Sequence, residues 1–293
     1  MTDAATPIDS AWIAANPLPV HGHGTTKNSR GRVLVIGGSR KVPGAPRLTG
    51  EAALRVGAGK VQLATVETAA LHLGLLIPEA GVIALPEDQH GEIGTAEAAL
   101  RPALDACDTV VLGPGIGRPE VAAALLDIVL GTDRDDLTLV IDAVAIGCLK
   151  AAHDAVGRFD GRIVLTPHYG EMAVLCGDDE DAIEDDPRRA AGDAARTYGA
   201  VVALKGSDTI VAAPDGTSLH YGGGGTGLAT GGSGDVLAGA IAGLLSRGSV
   251  PVVATGWGVW LHGQSGRRMA TASGPIGFLA RQLPGEFPHL LPQ

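Results

Sequence analysis

One charged side chain stands in an otherwise glycine-rich and aliphatic stretch, GLATGGSGDVLAGAIAGLL, which runs from Gly227 to Leu245. Surrounding that residue, Asp235, with apolar groups is costly unless its carboxylate is paired or used. Asp235 can cap the helix that the following residues predict. Its carboxylate can also act as a base that removes a proton from a substrate hydroxyl. The two roles are compatible, and the sequence leaves both open.

The four residues before Asp235 are Gly231, Gly232, Ser233 and Gly234. They precede a predicted helix over 236–246, whose aliphatic residues share one face and whose glycines and alanines cover the rest. Such a helix is expected to be buried. Its unpaired backbone N–H groups lie at the positive end of the helix dipole, which favours phosphate oxygens. The segment therefore predicts a base beside a phosphate site.

Polar or glycine-rich residues follow a series of short apolar runs, which predict buried strands. The predicted strands cover 33–36, 61–65, 109–112, 137–141, 163–165 and 201–204. The residues that follow five of them are GGS, GPGIG, Asp142, TPH and Lys205-Gly206. In open parallel sheets, ligands bind at the carboxyl ends of the strands. We therefore expect these loops to converge on one crevice.

Helices are predicted near 9–15 and over 48–56, 236–246 and about 252–270, and a hairpin joins predicted strands 209–213 and 217–221. The alternation predicts an α/β protein: a three-layer sandwich with a central, mostly parallel sheet. We expect a single domain over 1–293, with residues 1–30 as an N-terminal extension and 284–293 as an irregular tail.

The charge and composition of the chain argue against several classes of partner. The net charge is −10 and no Lys/Arg cluster occurs, which argues against nucleic acid or a membrane surface as partner. The three cysteines, Cys107, Cys148 and Cys176, are widely spaced and indicate a reduced cytoplasmic protein. No signal peptide is visible, and no apolar run approaches the roughly 20 residues of a spanning helix. The histidines lack metal-type spacing, so no metal ligand is assigned.

Two further side chains have both structural and functional interpretations. Lys205 directly follows a buried strand, and its ammonium group either reaches solvent at the sheet edge or contacts a phosphate. His168 is either a structural histidine or a ligand contact. The loop GGSRKVPGAP matches neither GxGxxG nor GxxxxGK[ST], so neither a Rossmann dinucleotide site nor a P-loop is predicted.

Several motifs together resemble the NAD(P)H-hydrate dehydratases, a branch of the ribokinase-like superfamily. The similar region covers about residues 30–265, in the family order. The matching segments are GRVLVIGGS (31–39), GAP (44–46), EAALRVGAGKVQLAT (51–65), VVLGPGIG (110–117), LTPHYGEM (165–172), ALKGSDTIVAAPDG (203–216) and GLATGGSGDVLAGAIAGLLSRG (227–248).

The resemblance implies a ribokinase-like fold and repair of NADH and NADPH damaged by hydration of the nicotinamide ring. Dehydration of the S form would be coupled to hydrolysis of ADP or ATP with Mg²⁺. The bacterial members of the family suggest a homotetramer, and the family's frequent partner domain, a hydrate epimerase, would act here as a separate protein. Asp235 would be the catalytic base. By resemblance the nucleotide would contact Lys205, Gly206, Ser207, Asp208, Thr209, Gly232, Ser233 and Gly234, and the hydrated dinucleotide Ala45, Gly115, His168 and Asp235.

The chain departs from the family pattern at three single positions and in the segment TKNSRG (26–31), where the family has a lysine-glycine approach to GRVLVIGG. Val144 replaces the second carboxylate of Asp-Ala-Asp, Gly225 replaces an asparagine, and Tyr169 replaces a proline. A kinase that phosphorylates the hydroxyl of a small alcohol would use the same base and phosphate site. The substitutions also leave open a non-catalytic nucleotide-binding protein, although a binder has little need of the base.

Overall fold

The computed structural model describes residues 5–292. Ten strands form one sheet: β1 (Thr6–Pro7), β2 (Arg32–Ile36), β3 (Lys60–Val66), β4 (Gly81–Leu85), β5 (Thr109–Leu112), β6 (Thr138–Ile141), β7 (Ile163–Leu165), β8 (Val201–Lys205), β9 (Thr209–Ala212) and β10 (Ser218–Tyr221). Their order is β1-β10-β9-β8-β7-β6-β5-β2-β3-β4. Every pairing is parallel except β8 with β9 and β9 with β10. The mostly parallel sheet and the hairpin are confirmed.

Helices cover both faces of this sheet. They are α1 (Ser10–Ala15), α2 (Ala45–Arg55), α3 (Glu67–Leu76), α4 (Glu97–Ala106), α5 (Pro119–Leu130), α6 (Val144–Cys148), α7 (His153–Gly157), α8 (Tyr169–Cys176), α9 (Glu180–Asp185), α10 (Pro187–Tyr198), α11 (Ser233–Ser246), α12 (Pro251–Ser273) and α13 (Phe287–Leu290). Two 3-10 helices span Thr226–Leu228 and Ala280–Glu286. Over residues 5–292, no helix is both long and apolar enough to cross a bilayer.

Strand β2 shows how the three layers are held together. Leu34 and Ile36 pack into the layer that contains α4, α5 and α10. Val33 and Val35 point the other way, toward α2, α11 and α12. Both sets are buried, because alternate side chains of a parallel strand face opposite helical layers.

The N-terminal extension, beyond its first four residues, is packed against the sheet and α12. Strand β1 adds to β10, and the Ile8 N–H donates to the carbonyl oxygen of His220 at 2.7 Å. The Trp257 indole N–H donates to the carbonyl oxygen of Asn16 at 2.7 Å. Helix α1 lies within the predicted 9–15 segment, with Asp9 as its N-cap.

The expectation of an irregular tail over 284–293 is wrong for residues 284–290, which are helical. The second 3-10 helix continues directly into α13. Leu283 and Phe287 are fully buried against the α12 side of the sheet. Two large apolar side chains spaced by one helical turn outweigh the prolines in deciding the local structure.

Glycines on α11 let this helix lie directly against α2. A Cβ placed on Gly239 would lie 2.1 Å from the carbonyl oxygen of Thr49. One on Gly243 would lie 2.7 Å from the carbonyl oxygen of Ala53. Because the obstructing atoms belong to the backbone, they cannot move aside as a flexible side chain would. This close contact fixes the position of α11 relative to α2.

We predict that Gly239→Ala destabilises the protein by roughly 2–4 kcal/mol, although alanine favours helices over glycine by about 1 kcal/mol. The clash with the Thr49 carbonyl outweighs the helix propensity. Urea unfolding followed by circular dichroism measures the change. Gly157→Ala on α7 is the control, because no atom lies within 4 Å of its Cβ position. Equal stability of the two variants would contradict this account of the packing.

Candidate active site

The loops that follow β2, β5, β6, β7 and β8 meet at one edge of the sheet, as predicted. The Gly38 N–H donates to the carbonyl oxygen of Pro114 at 2.7 Å, which joins the GGS and GPGIG loops. Gly113 has φ +126, and a Cβ there would lie 1.9 Å from the carbonyl oxygen of Asp142. The first glycine of GPGIG is therefore required for the approach of the next loop.

A buried ion pair joins β6 to β8. The Lys205 ammonium donates to Asp142 Oδ1 at 3.2 Å, and the Thr166 hydroxyl donates to the same oxygen at 2.7 Å. The Asp142 side chain is only 4% exposed. Its Oδ2 has no hydrogen-bond partner among residues 5–292 and lies 4.0 Å from a Cβ placed on Gly234. One oxygen thus positions Lys205, while the other faces the start of α11.

The next residue, Ala143, has φ +54 and ψ −141, a backbone conformation that alanine rarely adopts. It follows Asp142 directly and precedes α6. Ala143 is held in this conformation from both sides: Asp142 before it is paired with Lys205, and α6 after it is packed in the core.

His168 caps α8 and links it to Lys205. The Glu171 N–H donates to His168 Nδ1 at 3.3 Å, and the His168 N–H donates to Glu171 Oε2 at 2.9 Å. The same Glu171 oxygen lies 3.8 Å from Lys205 Nζ. The His168 side chain is 57% exposed, so its ring edge stays accessible while its Nδ1 has a structural role.

Lys205 is held in its charged form. Burial alone would lower the pKa of its ammonium group, but Asp142 and Glu171 outweigh that effect and raise the pKa. A fixed positive charge at the end of β8 is suited to phosphate oxygens.

Helix α11 begins at Ser233, three residues earlier than the sequence predicted. Its N-cap is Gly232, with φ +88, and no side chain caps the helix. The N-cap interpretation of Asp235 is therefore wrong: Asp235 lies in the first turn. The left-handed conformation of Gly232 starts the helix, a role that suits glycine.

The Asp235 carboxyl group has a pKa raised to about 7. Burial is the main cause, the charge of Asp142 adds to it, and Lys205 opposes it. A carboxyl group with this pKa is partly ionised at neutral pH and binds a proton readily, as a general base must.

A cavity of about 750 Å³ opens beside Lys205 and the start of α11. Six of the residues predicted to contact the nucleotide line it: Lys205, Gly206, Ser207, Thr209, Ser233 and Gly234. We call this space the nucleotide cavity. Two predicted contacts are not among its lining: the Asp208 carboxylate pairs with His220 at 2.7 Å, and the Gly232 Cα faces Leu48.

A buried hydroxyl–imidazole contact completes the cavity wall. Ser233 Oγ and His262 Nε2 are 2.9 Å apart. Burial lowers the pKa of the His262 ring to about 4, with a contribution from the charge of Lys205 and an opposing one from Ser233. His262 is therefore neutral at neutral pH and orients the Ser233 hydroxyl at the helix start.

Ala45 and Gly115, both predicted to contact the substrate, are neighbours in the structure. A Cβ on Gly115 would lie 2.9 Å from that of Ala45 and 2.7 Å from the carbonyl oxygen of Val42. Gly115 also has φ +73, so no other residue fits easily. Ala45 is the first residue of α2.

The three single residues that depart from the family pattern, Val144, Gly225 and Tyr169, have different structural settings. Val144 is the first residue of α6 and packs against the apolar core of that layer. Gly225 has φ +94 and ψ +161, a region essentially restricted to glycine, and it lines the nucleotide cavity. The Tyr169 hydroxyl lies 2.1 Å from a Cβ placed on Gly206, so the tyrosine covers Gly206.

Three residues of the site, Asp142, Glu171 and His262, were not predicted to have a role. The position of Asp142 directly after a predicted buried strand could have indicated it. Glu171 is separated from His168 by three positions, the spacing of a capping box. His262 is a polar residue in an otherwise apolar and glycine-rich helix segment.

Comparison with known proteins agrees with the motifs. A family model described as NAD(P)H-hydrate dehydratase matches residues 33–288. An ADP-dependent (S)-NAD(P)H-hydrate dehydratase of Xanthomonas campestris is 46% identical over 284 residues, covering 97% of this chain and 95% of the relative. Other relatives are named bifunctional NAD(P)H-hydrate repair enzymes, and the chain spans about half of their length, 53% for that of Moorella thermoacetica.

Solved structures share the fold over nearly the whole chain. The ADP/ATP-dependent NAD(P)H-hydrate dehydratase of Bacillus subtilis, co-crystallised with ATP and Mg²⁺, has a TM-score of 0.81 at 26% identity and covers 99% of this chain and 98% of its own. A ribokinase-like superfamily protein of Enterococcus faecalis has a TM-score of 0.78 at 26% identity, over 93% of this chain and 90% of its own. The expected ribokinase-like fold is confirmed.

We predict that Asp235→Asn stabilises the ligand-free protein by roughly 1–3 kcal/mol at pH 8, where the wild type carries a desolvated carboxylate. Because the folded-state pKa of Asp235 is raised, the wild type loses stability as the pH rises from about 4 to about 7, and the loss levels off at higher pH. The gain should vanish below about pH 4, where the carboxyl group is neutral in both states.

Urea unfolding at pH 4 and pH 8 without nucleotide measures this difference. Asp215→Asn is the control, because its carboxylate accepts a hydrogen bond from the Thr217 N–H that lowers its pKa. That variant should not be stabilised at pH 8. A gain for Asp235→Asn of equal size at both pH values would show that burial of the charge is not the cause.

Proposed function

This chain belongs to the NAD(P)H-hydrate dehydratase family, and from that premise we propose how its site carries out the reaction. The enzyme is a hydro-lyase that dehydrates the S form of hydrated NADH and NADPH and consumes ADP or ATP. The observation that carries the residue assignments is the position of Asp235 in the first turn of α11, whose start lines the nucleotide cavity beside the fixed Lys205 ammonium group.

The first chemical step is phosphorylation of the ring hydroxyl. The Asp235 carboxylate takes the hydroxyl proton as the hydroxyl oxygen attacks the terminal phosphorus atom of the nucleotide. The bond between that phosphorus and its bridging oxygen breaks, so ADP becomes AMP, or ATP becomes ADP. A raised pKa favours this transfer, because a strongly acidic carboxylate would bind the proton poorly.

The second step is loss of phosphate. The carbon–oxygen bond breaks, and phosphate leaves with the electron pair. The lone pair of the ring nitrogen stabilises the resulting cation, and loss of a proton from the neighbouring carbon restores the dihydropyridine ring. Hydroxide is a poor leaving group and phosphate a good one, which explains why a nucleotide is consumed.

The start of α11 would stabilise the transferred phosphoryl group. Backbone N–H groups at the GGSG turn lie at the positive end of a 14-residue helix. Lys205 adds a fixed positive charge in the same cavity, and Gly206, Ser207 and Thr209 would contact the rest of the nucleotide. Donors fixed before the reaction are the main source of electrostatic stabilisation in such transfers.

Magnesium fits the carboxylates of the site. Among residues 5–292, no group of three His, Cys, Asp or Glu side chains could hold a metal ion. Mg²⁺ needs only one or two carboxylates when phosphates supply the other ligands. Asp142 Oδ2, which has no hydrogen-bond partner among the described residues and faces the start of α11, would hold the ion. When bound, Mg²⁺ would neutralise phosphate charge.

The hydrated dinucleotide would contact a second set of residues at the same edge of the sheet. Ala45 and Gly115 adjoin one another there, and their small size leaves room for a ring to approach. The exposed edge of His168 is the third proposed contact. Because His168 pairs with Lys205, it would contact the part of the dinucleotide nearest the nucleotide cavity.

The enzyme is proposed to be a cytoplasmic homotetramer that receives its S-form substrate from a separate hydrate epimerase. The assembly is supported by the apolar side chains that α3 exposes: Leu71 is 73% and Leu75 is 75% exposed. We expect a molar mass of about four chains in light scattering, and a smaller species for Leu71→Lys/Leu75→Lys. A wild-type monomer would contradict the proposed assembly.

Incubation of the protein with hydrated NADH, Mg²⁺ and ADP or ATP should restore the dihydropyridine absorbance of NADH. We predict that Asp235→Asn lowers kcat by about 10³-fold, because the amide cannot accept the hydroxyl proton. In the wild type, kcat/KM should rise with pH through about 7, as Asp235 loses its proton.

Asp215→Asn, in the exposed β9–β10 turn, should retain full activity. Full activity of Asp235→Asn with normal ADP binding would exclude the base role. No recovery of NADH with either nucleotide, at high enzyme concentration, would exclude the dehydratase reaction. Consumption of nucleotide with small alcohols in place of the hydrate would instead indicate a kinase.

A further inference from the structure

Four consecutive glycines, residues 222–225, follow β10 and line the wall of the nucleotide cavity. We call this segment the glycine loop. Glycine has more backbone freedom than any other residue, so the loop loses much conformational entropy when it is fixed in one conformation. The loop has no side chain that could hold it, and Gly225 stands where the family pattern has an asparagine. Contacts from other elements must therefore fix the loop.

The Arg267 side chain, in the second half of α12, supplies such a contact. Its Nη2 atom donates to the carbonyl oxygen of Gly222 at 2.6 Å and to that of Gly223 at 2.8 Å. A guanidinium Nη2 carries two hydrogens, so each carbonyl oxygen can accept one of them. Both bonds are charge-assisted, which makes them stronger than bonds between neutral groups. Arg267 thus holds two successive carbonyl groups of the glycine loop.

The base of the glycine loop packs on the same helix. The Arg267 guanidinium lies over the Tyr221 ring, with its Cζ atom 5.5 Å from the ring centroid. A Cβ placed on Gly263 would lie 2.2 Å from Tyr221 Cε1, and one placed on Gly224 would lie 2.8 Å from Gly263 Cα. The tyrosine and the loop therefore lie directly on the backbone of α12, and the exposed Arg267 side chain covers them from the solvent side.

The contact with Arg267 also determines the direction of one backbone donor. No cis peptide bond occurs among residues 5–292. In a trans peptide the N–H points away from the C=O. Because the Gly223 carbonyl points to Arg267, the Gly224 N–H points away from Arg267. This N–H makes no hydrogen bond within the described part of the chain, although Gly224 is buried. A buried donor without a partner requires an explanation, and a ligand acceptor supplies one.

We propose that Arg267 is a positioning residue for the nucleotide, and that it holds the glycine loop so that the Gly224 N–H donates to a phosphate oxygen of ADP or ATP. This inference rests on the proposed function, which places the nucleotide in that cavity. Gly224 lines the cavity and Arg267 does not, so the arginine acts through the loop. Without Arg267, the nucleotide would have to order four glycines on binding, and that cost would lower its affinity.

The test compares Arg267→Ala with the matched control Arg268→Ala. Arg268 is the next residue of α12 and is also exposed, but it pairs with Glu286 at 3.2 Å. Both variants remove one positive charge, and alanine favours a helix, so the contact with the glycine loop is the main difference. Calorimetry without the hydrate measures the Kd for ADP. It should rise about tenfold for Arg267→Ala and stay within about twofold of the wild type for Arg268→Ala.

Kinetics and hydrogen exchange distinguish positioning of the nucleotide from a general loss of structure. In Arg267→Ala the KM for ADP should rise about tenfold, while kcat and the KM for hydrated NADH stay near their wild-type values. Amide exchange of residues 222–226 in the ligand-free protein should become faster, and that of α11 should not change. Arg267→Lys should restore most of the ADP affinity, because an ammonium group can donate to both carbonyl oxygens.

The ADP measurement separates this inference from the proposed reaction. If the wild type binds ADP but dehydrates nothing, and Arg267→Ala binds ADP about tenfold more weakly than Arg268→Ala does, the positioning role stands and the proposed reaction fails. If the two alanine variants bind ADP equally, or the wild type does not bind it, the positioning role is overturned. A lower kcat with an unchanged KM for ADP would also overturn it, because Arg267 would then affect the chemical step.

Discussion

The buried ion pair between Asp142 and Lys205 is the interaction on which the site depends. It joins the ends of two strands, 63 residues apart in sequence, across β7. A buried pair of this kind is weak support for stability, because desolvation offsets its attraction. Its effect here is electrostatic: it keeps Lys205 charged, while Asp142 helps to raise the pKa of Asp235. The pair thus fixes a cation at the end of β8, and its Asp142 carboxylate adds to the burial that raises the pKa of Asp235.

The GGSG turn divides the space around that pair. Gly234 faces Lys205 and Asp142, and Gly232 faces Leu48 and Ala280. Side chains at either glycine would fill the gap between α11 and its neighbours. The turn is held in place by α11, whose Gly239 contacts the backbone of α2. Helix packing therefore determines where the GGSG turn and Asp235 lie relative to the ion pair.

Much of the fold was predictable, because it depends on short-range patterns. Buried parallel strands are continuous apolar runs, so β5 and β7 match the predicted bounds. The exceptions have physical reasons. Residues 280–290 are helical because Leu283 and Phe287 are buried against distant elements. Helix α11 starts early because Gly232 adopts a left-handed conformation, which a residue type permits but does not require.

From the sequence alone it follows that a lone carboxylate comes after a glycine turn at the start of a helix, and the order of the motifs identifies the family. Both conclusions depend on residues close together in the chain. The three-dimensional structure was needed to show that Asp235 is not the cap, that Asp142 and Glu171 hold Lys205, and that Arg267 holds the glycine loop. These relations join residues far apart in the chain. Charge balance and burial in a site arise from such contacts, and local residue spacing does not specify them.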